Sequence, residues 1–144
     1  MKVVVTGATG FVGPSVANAI VDAGHEVRVL ERKAGSWSKA GIRCQEAVQG
    51  NMTDPESLER AVAGRDAVVH LVAIRQGREE EFQRVMIQGT RSLIAAAKEA
   101  GVRRFVLMSA LGANDETKDL VPYYKAKWTQ DHDLRSSGLE HVIF

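Results

Sequence analysis

The 144-residue chain has one cysteine, Cys44, so it forms no internal disulfide and is not a disulfide-stapled secreted scaffold. In a short strand, Cys44 reads as a small core residue rather than a reactive thiol. No apolar run approaches the ~18 residues of a membrane span. The N-terminus enters a strand directly, with no apolar leader or small-residue cleavage site, so cytoplasm is the expected location. An excess of one charge is missing too. Lys and Arg number 19 against 18 Asp and Glu, a net charge of +1, whereas a nucleic-acid groove needs clustered positive charge. Glu79-Glu80-Glu81 and Arg103-Arg104 are short runs that read as solvated faces. The histidines, His25, His70, His132 and His141, lack metal-ligand spacing, and no metal site is expected. No repeat, linker or low-complexity stretch divides the chain, and its length fits one domain over 1–144.

Strand-like and helical runs alternate from end to end. Lys2–Thr6, Glu26–Leu30, Gln45–Val48, Ala67–Val72, Phe105–Met108 and His141–Phe144 read as strands, the fourth apolar almost throughout and so covered on both faces. Between them, helical spacing covers Phe11–Ala23, the stretch after Thr53-Asp54-Pro55-Glu56, Glu79–Ala100 and Pro122–Ser137. Lys33–Ala40 reads as loop with room for one helical turn. In the longest helix Phe82, Val85, Met86, Gly89, Leu93, Ala96 and Ala97 recur at intervals of three and four, predicting one uniform α-helix. His70 reads as a hydrogen-bonded core residue, and Trp37 and Trp128 as packing residues. Such alternation with short connections gives right-handed crossovers and a parallel sheet covered on both faces, the α/β doubly wound class.

The first strand runs straight into Gly7-Ala8-Thr9-Gly10-Phe11-Val12-Gly13. In a dinucleotide site one glycine makes the tight turn and another lets the backbone approach a pyrophosphate. A third lets the helix pack on the strand, with its N-terminal amides toward the phosphates. The spacing is G-x-x-G-x-x-G rather than G-x-G-x-x-G, so mechanism carries the match, and a purely steric turn stays open.

TGATGFVG, DPESLERAVAGRDAVVHLVA, GTRSLIAAAKEAGVRRFVLMSALGA, YYKAK and LRSSGLEHVIF follow one another in an order that resembles the short-chain dehydrogenase/reductase superfamily. The resemblance is to its extended and atypical branches, including NAD-dependent epimerase/dehydratases and the group like the complex I 39-kDa subunit. It implies a Rossmann fold of about six strands and hydride transfer at an alcohol or carbonyl. Tyr123 is then the acid/base, Ser109 orients the substrate oxygen, and Lys127 holds the nicotinamide ribose and lowers the tyrosine pKa. Tyr123 and Lys127 are four apart and share a helix face, with Cβ atoms roughly 5–6 Å apart. Tyr124 is the weaker candidate, since its i+4 partner is Trp128. The alternative is a non-catalytic dinucleotide-binding accessory or redox-sensing module.

The dinucleotide is assigned Gly7, Thr9, Gly10, Phe11, Val12 and Gly13 from the first loop, and Glu31 and Arg32 after strand two. Asn51 and Met52 after strand three, Leu71, Val72 and Ala73 after strand four, and Tyr123 and Lys127 complete the set. An acid ~20 residues past the glycines binds ribose hydroxyls and favours NAD; Glu31 is near that distance. Arg32 and Lys33 could pair with a 2′-phosphate and favour NADP. The cofactor is NAD or NADP, with the balance slightly to NAD.

Two positions depart from the pattern. Met86 stands where the family has an asparagine that holds a relay water, which puts an efficient proton relay to Lys127 in question. Gly50-Asn51 replaces Gly-Asp near the adenine, leaving an amide oxygen as acceptor. In the family the last strand leads into a lobe that closes over substrate, so the chain is expected to be the cofactor-binding portion of a longer protein, poorly active alone. The exposed sixth strand invites association, and the two long helices offer a surface for a homodimer. The substrate is not named by the sequence.

Overall fold

The computed structural model describes residues 1–144. Six strands, β1 (Lys2–Thr6), β2 (Glu26–Glu31), β3 (Glu46–Gln49), β4 (Ala67–His70), β5 (Arg104–Leu107) and β6 (Glu140–Ile143), form one sheet. Its order is β3-β2-β1-β4-β5-β6 with every pair parallel, the doubly wound order expected from the alternation. Side chains alternate across the pleat. Val3 and Val5 join Val27, Val29, Val69 and Ala17 on one face. Val4, Leu30 and Val68 join Leu58, Leu93, Phe105 and Leu134 on the other. Trp37 and Cys44 pack at the margin of the first of these cores, Cys44 lying just before β3 rather than in it.

Helix α1 (Gly13–Asp22) starts two residues later than its apolar spacing predicts, leaving Phe11 and Val12 exposed. The loop before β3 contains one turn, α2 (Ser36–Lys39). Helix α3 (Pro55–Val62) has Pro55 in its first turn, and the Asp54 carboxylate accepts from the Ser57 amide at 3.3 Å. At its other end, buried Arg28 donates to the carbonyls of Arg60, Ala61 and Ala63, each at 2.9 Å, and pairs with Glu46 at 2.8 Å. One guanidinium thereby ties β2, β3 and the C-terminus of α3 together.

The longest helix is not uniform. It runs as α4 (Glu79–Glu81), a π-helical stretch (Phe82–Gln88) and α5 (Gly89–Glu99). Phe82, Met86 and Ile87, spaced by four and one, lie buried with Ala126 in a small cluster of their own. A wider helix puts residues at those intervals on one side, and apolar spacing alone does not separate the two helix types. Helix α6 (Pro122–Arg135) lies against the π-helical stretch and leads into β6. Strand β4 ends at His70, two residues short of the apolar run, and the backbone of Leu71 and Val72 passes close against Gly7. No helix is long and apolar enough to cross a membrane.

Candidate active site

Because all six strands are parallel, the segments after them meet on one edge of the sheet. The three glycines of the first loop do different work there. Gly7 has φ of 76°, and a Cβ on it would stand 2.8 Å from the backbone of Leu71 and Val72. A Cβ on Gly13 would lie 2.0 Å from the Ala8 carbonyl oxygen, so only glycine lets α1 begin against the loop. Gly10 is less constrained: it is exposed, and its Cβ would meet only the Gly7 carbonyl oxygen, a tight 3.2 Å contact that a small shift relieves. The start of α1 has no side-chain cap and no acidic residue in its first turn. Its amides are therefore open to an anion, and the bare turn at Gly10 lets that anion approach. This cradle fits a pyrophosphate. Thr9, Phe11 and Val12 flank it, all exposed.

The ends of β2 and β3 depart from expectation. The Glu31 carboxylate is buried and committed to α2. It accepts from the Gly35 amide at 2.8 Å, the Ser36 hydroxyl at 2.9 Å and the Trp37 amide at 3.0 Å. Burial opposes its charge, yet these donors hold its pKa below the usual carboxylate range. It is a helix cap, buried with both oxygens already engaged. The Asn51 amide oxygen is likewise taken, accepting from the Thr53 amide (2.8 Å) and hydroxyl (2.6 Å). Met52 points into the core, against Gly89. Arg32 alone of this group stays exposed. With Asn51, Asp54 and Arg60 it lines an open polar cleft of about 650 Å³.

Beyond β4, Leu71 and Val72 are half-buried and Ala73 is exposed. The site residues of β5 and α6 do come together. Lys127 is 1% exposed, and its ammonium donates to the Met108 carbonyl at 2.6 Å, pinning α6 under the end of β5. Burial pulls its pKa down to about 8, against the opposing pull of Asp131. The next residue, Ser109, donates its hydroxyl to Asp131 at 2.7 Å. Tyr123 is half-buried, its ring centroid 5.9 Å from that of Tyr124. The expectation that Lys127 lowers the Tyr123 pKa is not met. Burial raises it, and the cation that opposes the rise is Arg75, because the Lys127 ammonium is turned onto Met108.

A second polar chain runs below. His70, as expected, is a hydrogen-bonded core residue, bonded to Thr6 at 2.6 Å and Thr90 at 2.9 Å. Burial first, and Lys127 second, drive its pKa down to about 3, so it is neutral. Gln130 continues the chain, donating to Thr90 at 2.7 Å and to the Met86 carbonyl at 3.2 Å. Met86 itself is fully buried. Asp131 had a signal in the sequence, since it repeats the i+4 spacing from Lys127. Gln130 and Arg75, the latter in an irregular loop, had none.

The sequence profile of the NAD(P)H-binding family matches residues 7–144. The chain belongs to that family. It is 31% identical to an uncharacterized sugar epimerase, YhfK, of Bacillus subtilis, an alignment covering 99% of this chain and 70% of the relative. It is also 31% identical to the photosystem II assembly factor Ycf39 of Cyanophora paradoxa, over 100% of this chain and 44% of that protein. Among solved structures, a short-chain dehydrogenase/reductase superfamily protein of Agrobacterium tumefaciens with bound NAD superposes with a TM-score of 0.80. That pair shares 29% identity over 99% of this chain and 48% of the other. The chain thus spans less than half the length of two of these three proteins. It is an NAD(P)-binding domain of the short-chain dehydrogenase/reductase and epimerase type.

Proposed function

We propose that this domain serves an oxidoreductase or epimerase/dehydratase acting at a substrate alcohol or carbonyl, with Tyr123 moving the proton and NADP(H) preferred over NAD(H). The observation that carries the chemistry is the seating of α6. Lys127 is locked under the end of β5 beside Ser109, one helical turn from Tyr123, on the edge that also holds the glycine loop. When bound, the nicotinamide supplies or accepts the hydride. Tyr123 donates its hydroxyl proton to a carbonyl oxygen, or takes one from an alcohol. Its raised pKa keeps it a proton donor at neutral pH, with Arg75 the cation that eases its ionisation. Ser109 orients the same oxygen, and Lys127 is the cation that would hold the ribose.

The NADP preference follows from Glu31. Its carboxylate is buried and spent on capping α2, so it is not offered to the ribose hydroxyls that favour NAD, while Arg32 and Arg60 face the cleft. The test is parallel fluorescence titration with NADPH and NADH. NADPH should bind at least about tenfold tighter, about 1.4 kcal/mol, and Arg32→Ala should close most of that gap. Equal affinities would refute the preference. For the chemistry, NADPH oxidation by the full-length protein that carries this domain is followed with a panel of aldehydes and ketones. Tyr123→Phe should abolish turnover and leave NADPH affinity within twofold; unchanged turnover would remove Tyr123 from its role.

A further inference from the structure

We propose that Asp131 is a positioning residue that sets the direction of the Ser109 hydroxyl: ionised, it draws that hydroxyl away from the cleft; protonated, it releases it as a donor to a bound oxygen. This rests on the reading of Ser109 and Tyr123 given above. Asp131 follows Lys127 by one helical turn and Tyr123 by two, so the three share a face of α6. It is 6% exposed, and Ser109 is its only hydrogen-bond partner, at Oδ2. The other oxygen, Oδ1, is buried with no partner at all. A buried carboxylate with half its acceptors unused is costly as an anion and far cheaper as an acid. The backbone of Ser109 is fixed, its amide donating to the Phe144 carbonyl at 2.8 Å, so the hydroxyl rotor is what remains free.

The proton count follows from donor inventory. An ionised carboxylate only accepts, so Ser109 must spend its one proton on Asp131 and offers the cleft only lone pairs. A carbonyl substrate oxygen then gets no hydrogen bond from Ser109. With a proton from solvent on Asp131, the acid O–H donates to Ser109 Oγ, and the serine proton is free to turn to the substrate oxygen. Arg135 and Lys127 on α6 are the charges acting on Asp131; the segment after β5 contributes the neutral Ser109 hydroxyl. The nearby Arg91 of α5 is held by Asp133 at 2.7 Å. Burial outweighs these cations and raises the Asp131 pKa, so both protonation states fall within reach of a pH titration.

The test has two arms. In the first, carboxyl ¹³C shifts of the whole chain are followed against pH, with Asp131 assigned from Asp131→Asn. Asp131 should titrate above the ordinary aspartate range, and Ser109→Ala should raise its midpoint further by removing the donor to the ionised form. A midpoint in the ordinary range, or one indifferent to Ser109→Ala, would overturn the proposal. In the second, NADPH oxidation by 2,3-butanedione is measured across the same range. The wild-type rate should fall towards tenfold per pH unit above the Asp131 midpoint. That limb should vanish in Asp131→Ala, whose folding is checked by its melting temperature. Persistence of the limb would overturn the proposal. If butanedione is not reduced, the first arm still decides, and the failure falls on the reading of the reaction rather than on the Ser109–Asp131 pair.

Discussion

The two halves of the sheet edge are built from different materials. Around β1 to β3 the site is backbone and surface: a bare turn at Gly10, an uncapped helix start, and Arg32 and Arg60 in an open cleft. Around β4 to β6 it is buried side chain, with Lys127, Asp131, His70 and Gln130 nearly or wholly out of solvent. The first arrangement costs the fold little and can receive a charged ligand without rearranging. The second stores unpaid desolvation, visible in the low pKa values of Lys127 and His70 and in the partnerless oxygens of Asp131 and Gln130. On the proposed reading, the contrast separates two tasks: open shape receives the cofactor, and buried polar groups lie beneath the end where the proton would move.

The largest effect should come from the tightest point of the first half. Gly13→Ala puts a Cβ 2.0 Å from the Ala8 oxygen. Such overpacking against backbone should cost about 3 kcal/mol or more, read as a loss of urea midpoint or of soluble folded protein. A midpoint near wild type would mean that the loop adjusts freely, and the contrast would weaken.

The second half should reveal itself through pH. Between pH 8 and 10.5 the unfolded chain keeps a proton on Lys127 that the folded chain has lost. Stability should therefore rise with pH across that window, by at most about 3 kcal/mol for a shift of this size. Lys127→Met should remove the rise in urea titrations at pH 7.5 and 10; a parallel pH dependence in both proteins would show the lysine to be solvated. His70 has the same sign lower down. Its folded pKa of about 3 lies below the ordinary 6.5, so stability should fall as pH drops through that interval, and His70→Gln should lessen the fall.

A smaller change is expected at the cap of α3. Asp54→Ala removes the acceptor for the Ser57 amide and should cost about 1 kcal/mol by chemical denaturation. Smallest of all, Arg75→Gln should raise the Tyr123 phenol further, read by ultraviolet titration, because Arg75 is the cation that lowers it. No change there would leave the Tyr123 ionisation to burial alone.

Most of the first half was legible in the sequence, because valine-rich runs and glycine spacing are local signals. Val3–Val5 and the Gly7, Gly10, Gly13 series predicted the strand, the loop and the helix start to within two residues. Glu31 was misread because distance from the glycines says where a carboxylate is, not what it holds. Gly35 and Ser36, four and five residues on, supplied the donors that captured it. The π-helical stretch was invisible for a similar reason. Its apolar residues satisfy three-and-four spacing, and the packing of Met86 and Ile87 against Ala126 accompanies the wider helix. In the second half, order and spacing put Ser109, Tyr123 and Lys127 forward, and the structure sets Ser109 and Lys127 at the end of β5 with Tyr123 one turn away on α6. Their couplings to Met108, Asp131 and Arg75 are tertiary, and only the i+4 repeat at Asp131 hinted at one of them.

Gly10 offers the most direct measurement, since a Cβ there meets a single backbone oxygen that need shift only a few tenths of an ångström, while it would stand in the space a pyrophosphate needs. Wild type and Gly10→Ala are compared by thermal melt and by NADPH titration under the same conditions. The account predicts melting temperatures within about 2 °C, a difference near or below ~0.5 kcal/mol, together with at least a tenfold loss of NADPH affinity. Undiminished NADPH binding by a folded Gly10→Ala protein would contradict it.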